Sequence, residues 1–103
     1  MTIVTIENWP GREYEILGTV NGSVVYSKNF GKDFMSAMKS LVGGEVKDYT
    51  EMLIEARQIA TGRVAHEAEE LGADAVLGLR YASASVMQSA AEVMAYGTAV
   101  KWK

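Results

Sequence analysis

The sequence predicts an α+β fold: a mostly antiparallel sheet with a long C-terminal β-hairpin, packed on one long and one short helix. Three observations lead there. Apolar residues between positions 49 and 71 recur at steps of three and four, the α-helical period. Residues 75–103 divide into two thirteen-residue runs around Gln88-Ser89-Ala90, as a hairpin does. Upstream, β-branched runs are punctuated by Pro10-Gly11 and Asn21-Gly22, which are turn signals between or within strands.

The first strand is expected over Thr2–Ile6, where every residue is β-branched, and Glu7–Gly11 closes it with a Pro-Gly turn. Trp9, next to that proline, is placed to cover a core edge. Residues Tyr14–Ser27 read as one long strand with a bulge near Gly22. A hairpin at Asn21-Gly22 is the competing reading, but the doublets Ile16-Leu17 and Val24-Val25 suit a strand covered on both faces. Phe34, Met35, Met38 and Leu41 give the short amphipathic helix, over Lys32–Val42, and Gly43-Gly44 ends it.

Asp48-Tyr49-Thr50-Glu51 has capping-box spacing, so the long helix is expected to start at Tyr49 with Asp48 as its N-cap. Tyr49, Met52, Leu53, Ala56, Ile59, Ala60, Val64, Ala68 and Leu71 form its apolar stripe, while Glu55, Gln58, Arg63, His66, Glu69 and Glu70 face water. Gly72 stands where a left-handed residue terminates a helix. In the hairpin strands, alternation puts Leu77, Leu79 and Tyr81 on one face and Val76, Arg80 and Val86 on the other. Met94, Tyr96, Val100 and Trp102 share a face of the last strand.

With 103 residues, 49% of them hydrophobic, the chain is expected to form one domain over 1–103 that buries roughly two-thirds of its unfolded surface. The absence of cysteine excludes thiolate catalysis, zinc-finger or iron–sulfur ligation and a disulfide framework. No apolar run reaches the length of a membrane span and no signal-peptide pattern opens the chain, so a cytoplasmic protein without membrane partners is expected. Residues 45–74 hold eight acids against three bases within a net charge of −3, and nothing resembles the basic face that nucleic-acid binding requires.

Val42-Gly43-Gly44, Tyr49, Ala56-Arg57-x-x-Ala60, Ala68-x-x-Leu71-Gly72-Ala73-Asp74-Ala75-Val76-x-Gly78 and Gly97-Thr98-Ala99-Val100 together resemble the YbjQ-like family, labelled as heavy-metal-binding. Gly18-x-Val20-x-Gly22 looks like that family's early strand. The resemblance implies a dodecin-like β-α-β-β subunit with N-terminal additions, cytoplasmic, assembled into rings of five.

Tyr49, Arg57 and Asp74 are the polar residues embedded in these motifs and become the candidate ligand-binding set. Asp74 follows the helix C-terminus, where negative charge needs a compensating cation or backbone N–H. Arg57 is the partner considered, and an Arg57–Asp74 bridge that merely fixes the turn is the plainer reading. A metal ion is the only cofactor suggested, with His66 and Glu70 as weak ligand candidates; they supply two ligands where zinc takes three or four. Met35 and Met38 have thioethers one helical turn apart, but these coincide with the apolar face. Gly43-Gly44 lacks the Gly-Lys-Ser/Thr ending of a phosphate loop.

No catalytic constellation is visible. The function expected is therefore an oligomeric binding protein for an unidentified small ligand or metal. A small enzyme that assembles its site between subunits is the alternative. Self-association also follows from length: thirteen-residue strands rising about 3.3 Å per residue give a hairpin of roughly 43 Å, against about 34 Å for a compact monomer. The hairpin should overhang its own subunit and be covered by a second copy, with a homopentamer the assembly implied by the family resemblance.

Overall fold

The computed structural model describes residues 1–26, 47–87 and 90–103. Four strands, β1 (Thr2–Ile3), β2 (Tyr14–Tyr26), β3 (Ala75–Met87) and β4 (Ala90–Trp102), and one helix, α1 (Lys47–Glu70), make up the described fold. The sheet runs β1-β3-β4-β2. β1 pairs parallel with β3, and both other pairings are antiparallel, so the fold is α+β with a mixed, mostly antiparallel sheet. The expected short helix over Lys32–Val42, the glycine pair after it and the hairpin tip at Gln88-Ser89 lie outside the described residues.

β1 is shorter than expected, but the chain continues along β3. Val4 donates to the Val76 carbonyl and accepts from Leu79, and Gly78 donates to Ile6. The turn follows at Pro10-Gly11, where Gly11 has φ 79°, as the third residue of a type II turn requires.

β2 is indeed one strand, but its irregularity lies between Ile16 and Gly18 and not near Gly22. That bulge explains the Ile16-Leu17 doublet: Leu17 packs on the helix side, and Ile16 stays 68% exposed on the other. Val24 and Val25 likewise part to opposite faces, with Val25 exposed, so beyond Tyr14 the described residues cover β2 on one face only. Gly22 pairs regularly with Ala95 and serves another purpose, since a Cβ there would meet the Ala60 carbonyl oxygen at 2.5 Å.

α1 lies across that face. Ala56, Ala60, Val64 and Ala68, spaced by four, are fully buried and form one narrow row. Ile59 and Leu71, expected on the buried stripe, are 39% and 48% exposed. Small side chains let the helix approach the sheet closely, and a close approach buries a narrower strip. Asp48 stands within the helix rather than at its N-cap, because helical backbone already includes Lys47. The capping-box spacing is compatible with a helix start but does not enforce one.

The helix end matches expectation. Gly72 has φ 77°, Ala73 donates to the Ala68 carbonyl and Gly72 to that of Glu69, the paired bonds of a Schellman motif.

A second bulge, between Leu77 and Arg80, corrects the expected faces of β3. Gly78 takes φ 66°, the left-handed residue of a glycine bulge. Val76 and Leu79 therefore join the helix-side core with Val20, Val64, Ala95 and Ala99. Leu77 turns to the opposite side with Ala75 and Val100, under Trp9, Tyr14 and Trp102. On β4, Tyr96, Val100 and Trp102 do share the face away from the helix, as alternation predicts.

Candidate functional site

Asp74 is exposed, and its carboxylate accepts from the backbone N–H of Trp102 at 2.8 Å. Beside it, Lys101 reaches the Gly72 carbonyl at 3.3 Å, a cation at the negative end of the helix. The charge after the helix is thus compensated locally, and Arg57 is not its partner. Glu70 lies thirteen residues along the helix from Arg57, a rise of about 20 Å along the axis. Arg57 instead borders a depression between α1 and β3 with Ile54, Gln58, Thr61 and Tyr81. There the Thr61 hydroxyl donates to the Arg57 carbonyl at 2.7 Å, which leaves Tyr81 as donor in its 2.8 Å bond to Thr61 Oγ1. Tyr49 belongs to the first turns of α1, and its side chain lies outside the described residues. Within one subunit, then, Arg57 and Asp74 do not form one site.

His66 and Glu70 do meet, at 3.1 Å, on the exposed face of α1. Among the described residues no group of three His, Cys, Asp or Glu side chains could hold a metal ion. The whole chain contains one histidine and no cysteine, a donor set that does not suit soft, thiophilic metals.

A better-formed concavity lies on the face of the sheet away from the helix. Its volume is about 410 Å³, within the range of small-molecule sites. Leu77 and Val100, both buried, supply an apolar floor. Tyr14, Ile16, Tyr96 and Thr98 line it from β2 and β4, and Glu7 and Arg80 bring opposite charges to its rim. The Gly78 bulge is what puts Arg80 on the same side as Leu77. Arg80 Nη1 donates to the carbonyls of Thr5, at 2.8 Å, and Leu79, at 2.9 Å, and Nη2 reaches Glu7 Oε1 at 3.3 Å. At one end, Tyr14 stacks edge-on with Trp102, their centroids 6.3 Å apart, and Trp102 packs against Trp9 at 5.5 Å and under the Arg12 guanidinium at 4.4 Å.

Sequence reasoning missed this cleft. Two signals were available: Arg80 is the only charged residue between Ala75 and Met87, and a glycine inside a strand pattern marks a bulge. Neither says that β2, β4 and the segment after β1 converge on it.

An α+β domain whose sheet carries a helix on one face and a ligand-sized cleft on the other is the class of protein these features define. All 103 residues match the family described as "Putative heavy-metal-binding", and the chain belongs to this YbjQ-like family. It is 61% identical over 102 residues to a UPF0145 protein of Fervidobacterium nodosum, covering 98% of this chain and 94% of the relative. A UPF0145 protein of Thermotoga maritima is 60% identical over 102 residues, covering 98% and 96%. Among solved structures, a DUF74-family protein of unknown function from Pediococcus pentosaceus superimposes with a TM-score of 0.66 at 19% identity, covering 100% of this chain and 98% of that one, a likeness of fold. Among the described residues, no helix is long and apolar enough to cross a membrane.

Proposed function

We propose that the protein is a non-catalytic, homo-oligomeric binding protein for a small organic molecule, held in the cleft between Arg80 and Tyr96. The observation that carries this reading is the cleft itself, lined by Ile16 and Tyr96 above the buried Leu77 and Val100, with the Arg80 guanidinium and the Glu7 carboxylate among its walls. The chain's sole imidazole, on His66, is on the helix side of the sheet and engaged with Glu70, which leaves the cleft without a general base of that kind. An organic ligand accords with these residues better than the metal in the family's label.

Shape supports self-association. The radius of gyration is 16.7 Å, against about 13 Å for a compact chain of this length. Exposed Val25, Ile54 and Tyr81 lie on both sides of the sheet, available for a second copy to cover. A closed ring, with five subunits as the family resemblance implies, removes such surface without leaving open ends. Native mass spectrometry of protein isolated from its own cells tests both halves at once. A multiple of the subunit mass with a retained organic molecule is expected; a bare monomer overturns the reading.

A further inference from the structure

Taking the cleft as the binding site, we propose that its ligand is an amphipathic carboxylate, an acid with a flat apolar body, whose carboxylate displaces Glu7 from Arg80. A guanidinium has five N–H donors and stays charged at any physiological pH. Both Nη1 hydrogens of Arg80 are committed to main-chain carbonyls of Thr5 and Leu79, which fixes the plane of the group. The Nε–H and Nη2 side remains, and this is the fork that takes a carboxylate in two parallel bonds. Among the described residues it carries one long contact, 3.3 Å from Nη2 to Glu7 Oε1.

Glu7 thus marks the position a carboxylate takes and holds it weakly. Its side chain is 84% exposed, and an exposed ion pair of this kind contributes little. An incoming acid exchanges one carboxylate for another at Arg80 while its apolar part lies against Ile16 and the Tyr96 ring. Ile16 at 68% and Tyr96 at 38% exposure are the apolar side chains with most to gain from such a cover. The charge, the fork and the apolar surface meet in one cleft of about 410 Å³, large enough for an aryl acid.

The test is an amide chemical-shift titration of the full chain, deuterated and labelled with nitrogen-15, using 3-phenylpropionate, its neutral amide 3-phenylpropanamide, and inorganic phosphate. The acid is expected to shift the Leu77, Arg80, Tyr96 and Thr98 amides to saturation, and the neutral amide to bind at least about tenfold more weakly. Glu7→Gln should tighten the acid about threefold by removing its competitor. Arg80→Gln should abolish acid binding. Because Arg80 also ties down the segment after β1, Ile16→Glu provides a second probe that places a repelling carboxylate at an exposed lining position. Equal affinity for acid and neutral amide at these residues would overturn the carboxylate class and leave the cleft standing. Phosphate binding as tightly as the acid would overturn the apolar half. No shift at the cleft with any of the three would overturn the cleft reading itself.

Discussion

Gly22 on β2 lies flat against the Ala60 carbonyl of α1: a methyl group at residue 22 would stand 2.5 Å from that oxygen and 2.6 Å from Arg63 Cβ. Together with the small side chains of Ala56, Ala60 and Ala68, Gly22 lets the helix sit this close to the sheet. Arg63 reinforces it from the side, donating to the Ser23 carbonyl.

Gly22→Ala should therefore destabilise the protein by about 1–3 kcal/mol, the usual cost of overpacking, and Gly22→Val by more. Gly62, a few residues along the same helix, has open space around its Cβ position. Gly62→Ala should stabilise by up to about 1 kcal/mol through helix propensity. Denaturant melts of both variants check the pair, and a neutral Gly22→Ala would show that the helix can lift without penalty.

Gly72→Val should cost about 1–2 kcal/mol, because φ 77° is closed to a β-branched residue. Asp48→Ala should change stability by less than about 0.5 kcal/mol, since residue 48 lies inside the helix. The same melts, read by helical circular dichroism, separate a helix-end effect from a helix-start effect.

Zinc and cadmium should bind weakly and without fixed stoichiometry, because the chain has no thiolate and a single imidazole. Calorimetric titration is the check. A one-per-subunit complex of submicromolar affinity would restore the metal reading and make His66 and Glu70 the first residues to replace.

In solution the protein should have a mass near 56 kDa, about five copies of the 11.2 kDa chain, by light scattering coupled to size exclusion. A mass of 11 kDa independent of concentration would mean that the exposed Val25 and Ile54 remain in water.

Features governed by bonds a few residues long were legible in the sequence. Gly72 is one, because a Schellman motif needs only the residues from Ala68 to Ala73. The limits of β3 and the unbroken course of β2 are others, set by local propensity and turn chemistry. Tertiary structure decided what depends on a partner far along the chain. Gly18, Gly22 and Gly78 look alike as letters; Gly78 is needed for its positive φ and Gly22 for the space that Ala60 occupies, 38 positions away. Asp74 finds Trp102 instead of Arg57 because strand pairing brings the end of β4 beside the helix exit, while helical rise carries Arg57 away. The cleft exists because a one-residue bulge at Gly78 reverses the side chains that follow it, turning Arg80 to the side of Tyr96 and Ile16. A glycine inside the strand pattern marks where a bulge can fall, but the period-two alternation on either side is intact and only the strand opposite reveals that one residue has been skipped.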